Sequence, residues 1–155
     1  MVNKVKTGAI LALIGSILTL FAGFLVFSTI AMTEMEIQAL IAQYKSSFPT
    51  LNVTIDYTLL YVKAAFIVVT GIVGIVGAIL ILKEIKAGAF ICIILGFFIL
   101  ISAFIPIGYV TTTITGLPGY TSLEPILATL GGTFIYIDPI MTSIGGIVGY
   151  LGLKE

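Results

Sequence analysis

Few side chains in this sequence could do chemistry, and their types narrow the choices. It has no histidine, and all seven of its cations are lysines. The commonest acid–base group and metal or haem ligand, and the residue that clamps phosphate bidentately, are therefore missing. The single thiol, Cys92, sits in an apolar run where burial disfavours the thiolate that a nucleophile needs, and alone it cannot form an intrachain disulfide. Asn52-Val53-Thr54 is an N-glycosylation sequon, usable only outside a cell. Lys63, beside Tyr57 and Tyr61, reads as an interface anchor, its stem along apolar surface and its ammonium in water.

Asp138 is the strongest polar candidate. Followed by Pro139, it reads as a helix N-cap with proline in the first helical position. A helix beginning at Phe134 would instead carry Asp138 about one turn inside and be kinked by Pro139, making an ion or partner site there worth testing. These residues predict no enzyme, no cofactor, no metal and no nucleic-acid partner.

The elements that must position these residues are dictated by lipid. The chain has 155 residues, of which 59% are apolar and only 9% charged, against roughly 25% charged in soluble domains. We expect an all-α integral membrane protein, a bundle of four transmembrane helices filling one domain over residues 1–155. The spans are read at about 7–31, 64–82, 87–109 and 137–153, with outer loops at about 32–62 and 110–136. Lys63 and Lys83 bracket the second span at a separation of roughly 30 Å, the thickness of the hydrocarbon core. Lys4, Lys6, Lys83, Lys86 and Lys154 fall on one side and Lys45 and Lys63 on the other, which predicts both termini in the cytoplasm.

The loops carry local signals. Thr33 and Glu36 make a capping box before Ile37, Leu40, Ile41 and Tyr44, predicting a short amphipathic helix. Leu51 to Asp56 alternates as a half-buried strand does, and Val110 to Thr115 is β-prone. A turn at Gly116 to Gly119 and a second box at Thr121 and Glu124 predict another short helix through Ile126, Leu127 and Leu130, ended by Gly131-Gly132. Phe134 to Ile137 reads as β-branched and aromatic. Lys6, Gly8, Ala9, Ile14, Leu20 and Phe24 recur eighty positions later as Lys86, Gly88, Ala89, Ile94, Leu100 and Phe104, suggesting a tandem duplication of a helix–loop–helix unit.

The spans also display small-residue stripes: Gly8, Ala12, Gly15, Thr19 and Gly23; Gly71, Gly74 and Ala78; Gly145 and Gly149. Small residues let helix backbones approach and gain contact that lipid cannot match. The four-span outline resembles tetraspanins and claudins in topology only. The cysteine motif of the former and the tryptophan-plus-two-cysteine signature of the latter are absent, so no residue role carries over. The expected function is a non-enzymatic structural or accessory membrane protein that packs with other membrane subunits or copies of itself in the lipid bilayer. The alternatives are a small channel or facilitator for an uncharged solute, and a structural protein of a virion membrane.

Overall fold

The computed structural model describes residues 3–50, 52–104, 109–115, 126–127 and 134–154. Among them are four helices, α1 (Lys4–Ser47), α2 (Thr58–Leu82), α3 (Lys86–Phe104) and α4 (Phe134–Gly152). Three strands, β1 (Asn52–Asp56), β2 (Tyr109–Thr115) and β3 (Ile126–Leu127), complete the described elements. Two of the helices, α1 and α2, are long and apolar enough to cross a membrane.

The first helix does not stop where the sequence suggests. A span ending near Ala31 and a separate helix capped by Thr33 and Glu36 are replaced by one helix of 44 residues. The reason is energetic. Residues 31–36, Ala-Met-Thr-Glu-Met-Glu, contain neither glycine nor proline, so adding residues to an existing helix is cheaper than breaking it and nucleating another. The Asn3 side chain accepts from Lys6 N–H at 3.2 Å to cap the start. The helix ends at Ser47, just before Pro49, which disfavours helical geometry in the residue preceding it.

The four helices form a closed ring. α1 packs along α2 and α4, α3 packs along α2 and α4, and α2 meets α4 only slightly. The α2–α3 turn is tight, and Glu84 takes a left-handed φ of 60°. Ile85 N–H donates to Leu80 C=O at 2.9 Å and Glu84 N–H to Ile81 C=O at 2.9 Å. These paired bonds close the end of α2 as a Schellman motif does.

β1 pairs antiparallel with β2, from Asn52 opposite Thr115 to Asp56 opposite Thr111. β2 pairs antiparallel with β3, Tyr109 opposite Leu127 and Val110 opposite Ile126. The α1–α2 and α3–α4 connections thus share one sheet. Val53 and Ile55 are half-buried while Asn52, Thr54 and Asp56 are exposed, the alternation a one-sided strand requires. Asp56 accepts from Thr58 N–H at 2.9 Å, and the Thr58 hydroxyl together with this backbone bond holds its carboxyl below the usual aspartate range.

Four further expectations are corrected. Tyr109 opens β2 and does not close α3, which reaches only Phe104. Ile126 and Leu127 are a strand, not part of a short helix. α4 begins at Phe134, three residues before the expected Ile137, and α2 begins at Thr58, six residues before the expected Ala64. The turn at Gly116 to Gly119, the box at Thr121 and Glu124, and Gly131-Gly132 lie outside the described residues.

Polarity in the bundle is distributed in an unusual way. The buried positions are held by small or hydroxylated residues: Gly8, Ala9, Ala12, Gly15, Ser16, Thr19 and Gly23 in α1, and Thr70, Gly71, Gly74, Gly77 and Ala78 in α2. The large apolar side chains point outward. Phe21 is 61% exposed, Phe24 56%, Ile94 63% and Phe98 56%. Buried aliphatic and aromatic residues gather in two places: Ile81 with Ala9, Ala12, Ala78, Ala89 and Cys92, and Ile30, Tyr57, Leu60 and Ala64 near the β1 end.

Candidate functional site

The chemistry concentrates where α1 meets α4. α4 starts at Phe134, so Asp138 is not an N-cap; it lies in the second turn, and Pro139 is inside the helix. Proline has no N–H, so the Ile135 carbonyl four residues earlier loses its intrahelical donor. This is the second arrangement that the sequence allowed, and it places a carboxyl in the interior. Asp138 is 3% exposed.

Small residues on the facing helix let the carboxyl in. A Cβ added at Gly15 would stand 2.6 Å from Thr142 N and 2.7 Å from the Asp138 carbonyl oxygen, so only glycine fits there. Gly145 is likewise pressed on the Ala12 backbone, and Gly8 on the backbones of Gly145 and Gly149. On the next turn of α1, Thr19 Oγ1 is 2.9 Å from Asp138 Oδ2 and 3.0 Å from Gly15 C=O. Thr142 Oγ1 donates to the Asp138 carbonyl at 2.9 Å, and Ser16 Oγ donates to Ala12 C=O at 2.7 Å. The other carboxyl oxygen, Oδ1 of Asp138, is buried without a hydrogen-bond partner among the other described residues.

Depth follows from helix geometry. Thr19 is twelve residues beyond Thr7, about 18 Å along α1, midway through the apolar stretch 7–31. No other ionisable side chain of the Asp, Glu, Lys or Arg type occurs in residues 7–33, 64–82, 87–104 or 134–152. Asp138 is the one such group in the apolar bulk of the bundle.

The remaining sequence candidates sit elsewhere. Gly23 packs on Val68, Gly71 on the Leu20 backbone, and Gly74 on the Ser16 side chain; Ala78 is fully buried. All of these contacts are within one chain. Lys63 is a half-buried residue of α2, Lys83 caps the end of that helix, and Asn52 is exposed at the start of β1. Cys92 is buried, its Sγ 3.7 Å from Gly74 C=O. Among the described residues, no group of three or more His, Cys, Asp or Glu could hold a metal.

Sequence reasoning missed Ser16, Thr142 and Ser143 as buried polar residues, and Gly96, whose missing side chain makes room for Ser143 Oγ and the Pro139 carbonyl. A signal was available. Asp138 and Thr142 are four residues apart, and Ser16 and Thr19 three, so each pair shares a helix face.

A second polar contact lies toward the β1 end. Tyr61 Oη donates to the Glu34 carboxylate at 2.7 Å, tying the far part of α1 to α2. The Tyr57 hydroxyl is buried without a partner among the described residues, and burial, with the nearby Glu34 charge, pushes that phenol above its ordinary range. No family model, no curated protein and no solved structure matches the chain.

Proposed function

We propose that the chain is a multi-pass membrane protein whose four helices all cross the bilayer, with both termini in the cytoplasm, and that its role is structural. It would serve as an accessory subunit or self-assembling scaffold. The observation that carries this reading is the polarity of the bundle, with glycine, alanine, serine and threonine inside and isoleucine, leucine and phenylalanine outside. In water that arrangement forfeits the hydrophobic driving force. In lipid it is the expected one, since close backbone contact between small residues is what holds helices together there.

The small-residue stripes are spent within the chain, so contacts with neighbours fall to the outer faces and to residues 32–47 of α1. That segment projects about 24 Å past Ala31 and exposes Met32, Met35, Leu40 and Tyr44. The ring order α1–α2–α3–α4 also suits a duplicated helix–loop–helix unit, because Gly8 of α1 meets α4 as Gly88 of α3 meets α2. A solute pathway is the weaker reading, because the helices touch through their backbones at Gly8, Gly145 and Gly149 and leave no lined passage at those contacts.

The test is purification from native membranes in mild detergent, with mass determination and identification of co-purifying proteins. A stable oligomer or a defined complex is expected. A lone, monodisperse monomer with no companion would count against the structural role. Recovery of the protein without detergent would remove the membrane reading itself.

A further inference from the structure

An ionised Asp138 would be short of donors: the one side-chain donor described on it is the Thr19 hydroxyl. Thr19 Oγ1 carries one hydrogen, yet it lies 3.0 Å from Gly15 C=O and 2.9 Å from Asp138 Oδ2. Both are acceptors when the carboxyl is charged, and one O–H serves one acceptor well. A carboxylate would also leave Oδ1, which accepts no hydrogen bond from another described residue, carrying half a negative charge in a buried position, the costliest kind of unpaired group.

We propose that Asp138 is a proton-binding site built into the α1–α4 contact, holding a proton on Oδ2 that is donated to Thr19 Oγ1. Thr19 then donates its own hydrogen to Gly15 C=O, so the chain Asp138–Thr19–Gly15 runs in one direction with every hydrogen used. Oδ1 becomes the carbonyl oxygen of a neutral acid, an acceptor whose isolation costs far less than that of a charge. The 2.9 Å separation is an ordinary hydrogen-bond length between two oxygens, which a shared proton requires.

No charge on the packed elements opposes this. The charged residues bounding those stretches are Lys6 and Glu34 on α1, Lys63 and Lys83 on α2, Lys86 on α3 and Lys154 beyond α4, all outside the apolar stretches that surround the carboxyl. Facing Asp138 from α1 are the hydroxyl of Thr19 and the backbone at Gly15. Of the other titratable side chains described on the packed helices, Lys4, Glu36, Tyr44 and Lys45 lie outside residues 7–33 of α1, Cys92 is turned to Gly74, Tyr61 is bonded to Glu34, and Tyr150 packs at a tilt on Phe90 and lies under Lys154.

The sequence offers a direct assay, because it contains two aspartates, Asp56 and Asp138. The full chain, labelled with 13C at the aspartate carboxyl and placed in lipid nanodiscs, gives two carboxyl resonances. At neutral pH one is expected at the ionised position and one at the position of the neutral acid. Asp56→Asn should remove the first and Asp138→Asn the second; if Asp138→Asn fails to fold, Asp56→Asn alone completes the assignment. Thr19→Val should shift the neutral-acid signal and leave that of Asp56 in place. Two ionised signals at neutral pH would overturn the proposal. So would a second signal that becomes ionised when choline chloride is replaced by sodium or potassium chloride, which would make the site one for a cation.

Discussion

Gly8 and Gly149 meet backbone to backbone: a Cβ on Gly8 would come 2.5 Å from the Cα of Gly149. Ile81 closes the third side, its Cγ2 standing 2.8 Å from where a Cβ on Gly149 would be. Gly8 cannot accept a side chain unless α1 and α4 separate, and one on Gly149 would have to displace the Ile81 side chain of α2. Gly8→Ala is expected to destabilise the protein by about 1–3 kcal/mol, the usual range for overpacking, and Gly8→Leu to cost more. Thermal unfolding in detergent, followed by exposure of Cys92, measures it. Ile94→Ala on the exposed face is the control and should change stability by no more than about 0.5 kcal/mol.

Glu84 holds a backbone conformation that favours glycine, with φ at 60°. Glu84→Gly should therefore stabilise the α2–α3 turn by about 1 kcal/mol, the relief of a left-handed L-residue less the extra freedom of glycine in the unfolded chain. An unchanged or lower midpoint in the same unfolding assay would mean that the side chain contributes something its φ does not reveal.

Asp56 provides the pH dependence. Its carboxyl is held below its ordinary value of 3.8 by the bonds from Thr58, so the folded form binds that proton less readily than the unfolded chain. The stability it adds is present above that ordinary value and is lost as pH falls through the lower folded value. The protection of the Thr58 amide, its exchange rate relative to the intrinsic rate at the same pH, should fall in that acidic window. Asp56→Asn keeps an acceptor for Thr58 N–H and should abolish the acid-induced change, whereas Asp56→Ala should leave that amide weakly protected at every pH.

Tyr61→Phe removes the bond from Tyr61 Oη to Glu34 while keeping the ring against Phe27, whose centroid is 5.8 Å away. Amide exchange in residues 34–47 should rise and that in residues 7–31 should stay as it was. An equal rise in both stretches would mean that α1 responds as a single unit and that the bond does not act locally.

What the sequence disclosed was set by how local each signal is. The alternation from Asn52 to Asp56 is a property of five adjacent residues, and β1 occupies those positions. Thr33 and Glu36 also form a local signal, yet a cap matters only where a helix must start, and α1 was already running. Phe134 to Ile137 left the start of α4 open for another reason: β-branched and aromatic residues serve a strand and an apolar helix equally well. Asp138-Pro139 allowed two readings, and the choice between them depended on Gly15 and Thr19, more than a hundred positions away. Nothing beside Asp138 announces that partner.

The continuity of α1 has a mechanical side. Ser47, the end of the helix, is twenty-eight residues beyond Thr19, an arm of about 42 Å. Were α1 to pivot about Thr19 by about 10°, its tip would sweep roughly 7 Å at that helix length. Loss of a proton at the fulcrum would then be legible as displacement at the far end of the lever, where Lys45 and Phe48 stand exposed to whatever meets the protein there.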